Sequence, residues 1–421
     1  MASIYQYIEK NQSFSFSEKA YSEIDILILN ELVYFPMESY IGSQVNVGAG
    51  LRLEEFYQQI EPTLLQLKKE NWVLTSNARI KLLKAIYQTK RYRDVYLFNF
   101  NSQVMIEDEF QFAAMCLKLP SQEILVSFRG TDDTLIGWKE DCNMAFQTLV
   151  PSQRLAFEYL RDTGQFLTHH ESIIVSGHSK GGNLAVYAAA FQTSEIQQSI
   201  QAIVSFDGPG FHQSILEMDS YQNIQGKISH FVPEDSIVGM LLFHSQPPII
   251  IKSKGVGFTQ HIATNWRVEG DALQRLETRS DLSYLVDASL KEWTIDRTET
   301  DLEKIFSSSF DLIFETGIQS IVEVTQNPLQ FARLFNTQLR LIDSELRLFL
   351  EGNISAFFSI IRSHLVENRR NHYHQMLTKF SDWTKDISVD AKLPFKPIPI
   401  KSIKRSLNSK RPDKSSEGNV K

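Results

Sequence analysis

Cysteine is nearly absent from this sequence, since only Cys116 and Cys142 occur in 421 residues. Neither lies at a spacing typical of metal ligands, so the sequence excludes a disulfide-stapled scaffold and a cysteine-rich zinc site, and it indicates a reducing compartment. An excess of positive charge is also lacking, because the net charge is −7. This balance argues against a dedicated nucleic-acid binder. We expect no nucleic-acid partner, no metal and no cofactor.

Long apolar runs are lacking too. The longest stretches, such as IVGMLLF at residues 237–243, are far shorter than a membrane span. The first twelve residues, MASIYQYIEKNQ, carry Glu9 and Lys10 and have no apolar segment typical of a secretory signal. We therefore expect a cytoplasmic protein without a transmembrane helix.

The pattern of apolar residues predicts an α/β fold. Residues 23–34 and 54–67 have apolar side chains at helical spacing, and three short β-rich runs follow between residues 95 and 128. Beyond them helices and strands alternate, which is typical of a mostly parallel sheet with crossover helices. The predicted segments are helix 151–163, strand 173–176, helix 181–193, strand 202–206 and strand 228–232.

The segment IIVSGHSKGGNLAVYAAA, residues 173–190, has the pattern of a nucleophile elbow. In such an elbow a serine lies on a sharp strand-to-helix turn, and small residues two positions before and after it avoid steric clashes. Gly177 and Gly181 stand at these positions around Ser179. The neighbouring His178 is expected to point away from the nucleophile. Ser179 is therefore the candidate nucleophile.

A serine nucleophile needs a base and an acid that orients the base, and in this fold they follow the serine in the order acid, then histidine. Asp235, in HFVPEDSIVG, follows a predicted strand, where loops at the carboxyl edge of a parallel sheet carry functional groups. His261, in GFTQHIATNW, comes in the next loop region. Asp235 and His261 are the predicted acid and base. Asp207, in VSFDGPG, is the alternative acid, or else the first residue of an Asx turn.

Two backbone N–H groups are needed to stabilise an oxyanion. Lys180, the residue after the nucleophile, would supply one of them. The strand in ILVSFRGTDD, residues 124–133, runs into Gly130, which lets the chain bend so that the amide of Thr131 faces the elbow. An ordinary turn at the end of a strand is the alternative interpretation.

Five segments together resemble a known family. VSFRGTDD, GWKEDCNMAF, VSGHSKGG, SFDGPGF and FVPEDSIVG are similar to successive blocks of the class 3, fungal-type triacylglycerol lipases, and residues 10–300 resemble a bacterial lipase-3-like α/β-hydrolase family. The resemblance implies an α/β-hydrolase fold and lipid esterase activity. The roles that it implies are Ser179 as nucleophile, Asp235 as acid, His261 as base, Thr131 and Lys180 as oxyanion amides, and Asp141 as a structural residue after Trp138.

Two features depart from that family. The interval between Asp235 and His261 is shorter than is usual there. The lipases usually have an apolar residue after the serine, whereas this chain has Lys180, a cation at a helix N-terminus that the helix dipole disfavours. Lys180 either contacts a carboxylate or phosphate of the substrate, or pairs with a nearby acidic residue such as Asp132 or Asp133.

Three parts are predicted along the chain: an α/β-hydrolase domain over residues 1–298, a C-terminal helical extension over 299–385, and a basic tail over 386–421. The extension has apolar residues every three or four positions, and we expect its helices to break near Pro328 and Gly352. It could cover the active-site face or mediate oligomerisation.

The tail is rich in Pro, Ser and Lys, which predicts disorder. Residues 391–421 contain nine Lys/Arg and two Asp/Glu, a net charge of +7. The rest of the chain therefore carries −14. The tail either contacts an anionic membrane surface or remains solvated and folds back on the acidic body.

The sequence thus predicts a serine hydrolase for acyl esters such as monoglycerides, lysophospholipids or acyl thioesters. A catalytically inactive hydrolase fold that binds a partner through its helical extension is the alternative, since a fold alone does not confer activity. Peptidase or amidase action by the same residues is a third reading.

Overall fold

The computed structural model describes residues 2–69, 76–105, 110–131, 135–167, 172–318 and 327–367. The predicted tail, 386–421, and the last part of the extension lie outside these residues. The strands are β1 (Ala2–Ser3), β2 (Leu51–Arg52), β3 (Tyr96–Met105), β4 (Phe110–Lys118), β5 (Ile124–Phe128), β6 (Ile173–His178), β7 (Ile200–Phe206), β8 (Ile228–Pro233), β9 (Ile249–Ile251), β10 (Arg267–Glu269) and β11 (Ala272–Leu273).

Fourteen α-helices accompany the strands in this part of the chain. They are α1 (Ile4–Asn11), α2 (Glu23–Asn30), α3 (Leu53–Lys69), α4 (Ser76–Ile86), α5 (Leu135–Asn143), α6 (Pro151–Phe166), α7 (Lys180–Ala190), α8 (Ser194–Ser199), α9 (Gln213–Leu216), α10 (Asp219–Gln222), α11 (Asp281–Ile295), α12 (Glu299–Phe314), α13 (Pro328–Leu341) and α14 (Ser344–Glu367). Several 3₁₀ turns lie between them, including Glu31–Tyr34 and Gly257–His261.

An eight-stranded sheet in the order β2-β3-β4-β5-β6-β7-β8-β9 forms the centre of the molecule. The pairs from β2 to β5 are antiparallel, and those from β5 to β9 are parallel. β1, β10 and β11 form a small separate sheet. The predicted fold class is confirmed: the protein has an α/β architecture with a mostly parallel central sheet, consistent with an α/β-hydrolase fold.

Both faces of the central sheet are covered, which explains the nearly continuous apolar runs ILVSF in β5 and IIV in β6. On one face Leu125 and Ile174 pack in a core cluster with the apolar side chains of α1 to α4. On the other face Val126 and Val175 pack with α6 and α7. The helices α5 to α10 are the connections between successive parallel strands, so the carboxyl ends of β5, β6, β7 and β8 lie along one edge.

The helical extension differs from the sequence prediction at one point. A helix does begin at Pro328, but α14 runs without interruption from Ser344 to Glu367 through Gly352. The break lies earlier, where Asp343 accepts hydrogen bonds from the backbone N–H groups of Glu345 and Leu346 at 2.7 and 3.3 Å. A single glycine costs a helix only about 1 kcal/mol, which the packing of the surrounding turns offsets.

Within the ranges given above, no helix is both long enough and apolar enough to cross a membrane.

Candidate active site

Ser179 lies on a sharp turn between β6 and α7, as the glycine spacing predicts. Its backbone has φ +59° and ψ −134°, a conformation that a non-glycine residue rarely adopts. A Cβ atom on Gly177 would lie 2.2 Å from the backbone of Gly181, and one on Gly181 would lie 2.2 Å from the carbonyl oxygen of Phe128. Larger residues therefore do not fit at either position, and the turn requires both glycines.

His261 is hydrogen bonded to Asp207. Its Nδ1 lies 2.6 Å from Asp207 Oδ2, and its side chain is 21% exposed whereas that of Asp207 is 1% exposed. Asp207 directly follows β7, which is the neighbour of the strand that ends at the nucleophile. Asp207 Oδ1 also accepts hydrogen bonds from Ser236 Oγ and from the backbone N–H of Gly239. The site therefore contains an imidazole oriented by a buried carboxylate.

The surroundings of Asp207 favour its ionised form. Burial by itself raises the pKa of this carboxyl group, but the charge and hydrogen bond of His261 and the hydrogen bond from Ser236 outweigh the effect of burial. The pKa of Asp207 is therefore held below its usual value. An ionised Asp207 keeps the proton of His261 on Nδ1 and leaves Nε2 free to accept one.

Asp235, the predicted acid, does not contact His261, and this corrects the sequence prediction. Its Oδ2 accepts hydrogen bonds from the backbone N–H of Gly257 at 3.2 Å and from Gln260 Nε2 at 2.9 Å. In return the backbone N–H of Asp235 donates to Gln260 Oε1 at 3.1 Å. Asp235 thus stabilises the 3₁₀ turn that ends at His261. Asp207, the alternative acid, is the aspartate that is hydrogen bonded to the imidazole. Both aspartates follow neighbouring parallel strands, so the sequence spacing alone could not separate them.

His178 packs against His261. The centroids of the His178 and His261 rings are 4.6 Å apart, and His178 Nε2 lies 2.8 Å from the carbonyl oxygen of His261, so Nε2–H is the donor. Burial, followed by the positive charge of His261, lowers the pKa of His178 to about 3. Because His178 directly precedes Ser179, this contact joins the turn at Ser179 to the turn that ends at His261.

Other histidines serve other contacts. His212 Nε2 lies 3.0 Å from the carbonyl oxygen of Met144. His230 contacts Ser205 Oγ and the carbonyl oxygen of Gly239. His169, His170, His372 and His374 lie outside the described residues. Among the described residues, no group of three or more His, Cys, Asp and Glu is arranged to hold a metal ion.

The end of β5 reaches the elbow from the other side. A Cβ atom on Gly130 would lie 2.4 Å from the carbonyl oxygen of His178 and 2.9 Å from Ser179 Cβ, so only glycine fits beside Ser179. Thr131 follows, and its hydroxyl donates to Asp141 Oδ2 at 2.5 Å. The structure thus places the turn at Gly130 and Thr131, the predicted oxyanion turn, next to Ser179. The roles of the Thr131 and Lys180 amides remain predictions.

The side chain of Lys180 points into the protein. Its Nζ lies 2.7 Å from Glu140 Oε2, 3.2 Å from the carbonyl oxygen of Gln111 and 3.8 Å from Asp141 Oδ1, and the side chain is 1% exposed. Lys180 therefore pairs with acidic residues of α5 and does not face a substrate. The partners suggested from the sequence, Asp132 and Asp133, lie outside the described residues.

The N-terminal helices contribute residues that the sequence analysis missed. Tyr34 accepts a hydrogen bond at its hydroxyl oxygen from the backbone N–H of Gly130 at 3.0 Å. The guanidinium of Arg79 lies 3.5 Å from the centre of the Tyr34 ring and donates to Glu31 Oε2 at 2.8 Å. Glu31 in turn faces His178, with 3.9 Å between Oε1 and Nδ1. The one signal in the sequence is a charged residue, Glu31, inside the apolar run ILILNELVY.

Comparison with known proteins finds one family model, described as Mbeg1-like, that matches residues 86–311. No curated protein matches the chain. Among solved structures, M37 lipase is similar with a TM-score of 0.33 and 14% sequence identity, over 52% of this chain and 69% of that one.

Proposed function

This chain belongs to the Mbeg1-like family, and we propose that it is a serine hydrolase acting on acyl esters. The observation that carries the proposal is the pair of His261 and Asp207, 2.6 Å apart, beside a strained Ser179 at the end of the neighbouring strand. A serine, a buried carboxylate and an imidazole, in this order along the chain, are the parts that acyl transfer requires.

Each residue has one task in the proposed reaction. His261 Nε2 takes the hydroxyl proton of Ser179 while Oγ attacks the ester carbonyl carbon, and the backbone N–H groups of Thr131 and Lys180 stabilise the oxyanion. The proton then passes from Nε2 to the alcohol oxygen as the C–O bond breaks, which leaves an acyl group on Ser179. Water, deprotonated by His261, attacks this acyl-enzyme and releases the acid, and the proton returns to Oγ.

Asp207 acts through His261 in this scheme. By accepting the Nδ1–H hydrogen bond it fixes the tautomer and the ring orientation, and it stabilises the imidazolium that forms during each proton transfer. Asp235 and Gln260 hold the turn that ends at His261. His178 contacts the same turn through the hydrogen bond from its Nε2–H to the carbonyl oxygen of His261.

The substrates that we propose are esters or thioesters with an acyl chain, such as monoglycerides, lysophospholipids or acyl thioesters. The first test is labelling of the purified full-length protein with a fluorophosphonate, followed by hydrolysis of p-nitrophenyl esters of increasing acyl length. We expect covalent labelling and hydrolysis by the wild type. Ser179→Ala should lose the label and at least about 10³-fold in kcat, since alanine fits the turn but removes the nucleophile.

Ser194→Ala is the matched control, because Ser194 is an exposed serine at the start of α8. It should retain both the label and the rate. Equal hydrolysis by wild type and Ser179→Ala would remove Ser179 from the mechanism. No label and no hydrolysis by the folded wild type would favour an inactive hydrolase fold that binds a partner.

A further inference from the structure

Lys180 occupies an unusual place for a cation. It is the first residue of α7, where the helix dipole disfavours positive charge, and its side chain is 1% exposed. Burying a Lys–Glu pair removes both charges from water, and the attraction between them often does no more than offset this cost. An apolar side chain in the same space would avoid the cost. The pair with Glu140 therefore does not by itself explain why a lysine follows the nucleophile.

The second acidic neighbour of Lys180 connects it to the oxyanion turn. Asp141 Oδ1 lies 3.8 Å from Lys180 Nζ and has no hydrogen-bond partner among the described residues, while Oδ2 accepts a hydrogen bond from the Thr131 hydroxyl at 2.5 Å. The side chain of Lys180 thus links the residue after Ser179 to the carboxylate of Asp141, which accepts a hydrogen bond from Thr131. Glu140 keeps Lys180 in place, because its Oε1 is fixed by the backbone N–H of Ser152 and its Oε2 accepts from Nζ.

The ionisation of Asp141 depends on its neighbours. Burial and, to a smaller extent, the charge of Glu140 raise its pKa, whereas Lys180, the hydrogen bond from Thr131 and His261 lower it. The balance of these effects raises the pKa of Asp141 to about 6. The positive charge of Lys180 is the first among the opposing effects. An ionised Asp141 can only accept a hydrogen bond from Thr131, whereas a protonated one carries its own O–H and can donate instead.

We propose that Lys180 is a positioning residue that keeps Asp141 ionised, so that Asp141 holds the Thr131 hydroxyl and thereby the oxyanion turn beside Ser179. The inference rests on the proposed hydrolase function. Lys180 touches neither substrate nor reacting atoms through its side chain, and its effect passes through Asp141.

The test compares the kinetics of Lys180→Met with those of the wild type in p-nitrophenyl ester hydrolysis. We expect kcat to fall about tenfold or more with KM changed less than about threefold, because the interaction lost is one that stabilises the transition state. We also expect the acid limb of the kcat–pH profile to move to higher pH. Without the cation, the pKa of Asp141 rises further, so Asp141 protonates at a higher pH and releases Thr131.

A background without the Thr131 hydroxyl separates this role from a purely structural one. In Thr131→Val, the additional change Lys180→Met should alter kcat less than about twofold, because the hydroxyl that Asp141 positions is already missing. Additive losses, with the acid limb unmoved, would mean that Lys180 acts only through packing and would overturn the proposal. An unchanged kcat in Lys180→Met would overturn it as well.

Two further variants keep the test decisive. Lys180→Met leaves the charge of Glu140 buried and unpaired. If this variant does not fold, Lys180→Met/Glu140→Gln replaces it. We expect the acid limb of its kcat–pH profile to move in the same direction by a smaller amount. Lys139→Met is the matched control. Lys139 is a neighbouring buried lysine whose Nζ lies 3.3 Å from Asp311 Oδ1, and we expect its loss to leave the pH profile unmoved.

A readout without turnover distinguishes this proposal from the hydrolase proposal. Titration of the Asp141 carboxyl by ¹³C NMR, assigned through Asp141→Asn, should show a higher pKa in Lys180→Met than in the wild type. An unmoved pKa would refute the role of Lys180 even in an active enzyme. A raised pKa in a protein that hydrolyses no ester would leave the electrostatic link in place and reject the hydrolase function.

Discussion

At the residue scale, two of the proposed catalytic residues have a strained backbone conformation. Among the described residues, five non-glycine residues have positive φ, and two of them are Ser179 at +59° and Asp207 at +51°. Each is held by a hydrogen bond to the neighbouring strand: the N–H of Ser179 donates to Phe206 and that of Asp207 donates to Phe231. The sheet thus stabilises two conformations that are unfavourable in isolation. Their side chains emerge from the same sheet edge as a result.

The two aspartates at this edge should differ in their contribution to catalysis. We expect Asp207→Asn to lower kcat by about 10³-fold or more, since an amide can donate to Nδ1 and stabilise the wrong tautomer of His261. Asp235→Asn should cost less than about tenfold, because its carbonyl oxygen can still accept from Gly257 and Gln260. Steady-state hydrolysis of a p-nitrophenyl ester by the two variants tests this ranking. The reverse ranking would return the orienting role to Asp235.

The sequence predicts individual site residues well where steric clashes allow only one residue type. It does not distinguish two aspartates that lie in equivalent loops. Gly177 and Gly181 could be recognised from their spacing around Ser179, because a turn with a buried neighbour on each side admits no Cβ. The aspartate that is hydrogen bonded to His261 could not, since Asp207 and Asp235 both follow parallel strands. Ser236 and Gly239 donate to Asp207, and Gln260 donates to Asp235, and these partners are set only when the loops fold together.

At the scale of elements, α14 illustrates how packing overrides local preference. Leu350, two residues before Gly352, packs with Leu312 and Leu339 of the preceding helices, and Ile361 and Leu365 further along pack against Leu285 of α11. Both halves of the helix are therefore anchored. The sequence predicted a break at Gly352 because local propensity was the only signal, and the contacts that continue the helix come from distant segments.

Replacement of Gly352 should stabilise the protein. The residue is exposed in the interior of α14, and a Cβ atom there would meet nothing within 4 Å. We expect Gly352→Ala to raise the free energy of unfolding by about 0.5–1 kcal/mol, since alanine has less backbone freedom to lose and a higher helix propensity. Chemical denaturation of the full-length protein measures the difference.

Gly317 provides the control for that substitution. It also has open space around it, but its φ is +78°, which alanine adopts only with strain. Gly317→Ala should therefore lower the free energy of unfolding by about 1 kcal/mol. Equal effects of the two substitutions would show that unfolding does not report on helical propensity in α14.

At the scale of the whole molecule, the helical extension is joined to the active-site side of the sheet through α5. Leu135 of α5 packs with Phe310 and Ile318, and just after the end of α5 the rings of Phe146 and Phe306 stack with centroids 6.2 Å apart and planes at 14°. The same helix, α5, contains Glu140 and Asp141, which contact Lys180 and Thr131. The alternation of helices and strands between residues 151 and 232 could be predicted from the sequence. The support of α5 by residues after 298 could not, because it depends on contacts between segments more than 150 residues apart.

The last prediction concerns this connection. Phe306→Ala should lower the free energy of unfolding by roughly 2 kcal/mol, somewhat less than for a fully buried phenylalanine because Phe306 is only partly buried. It should also reduce kcat for ester hydrolysis several-fold, since a loosened α5 holds Asp141 and Thr131 less firmly. Leu341→Ala, at the exposed end of α13 where the side chain is 74% exposed, is the matched control and should change neither quantity. Loss of stability in Phe306→Ala with an unchanged kcat would mean that the extension stabilises the fold without supporting the oxyanion turn.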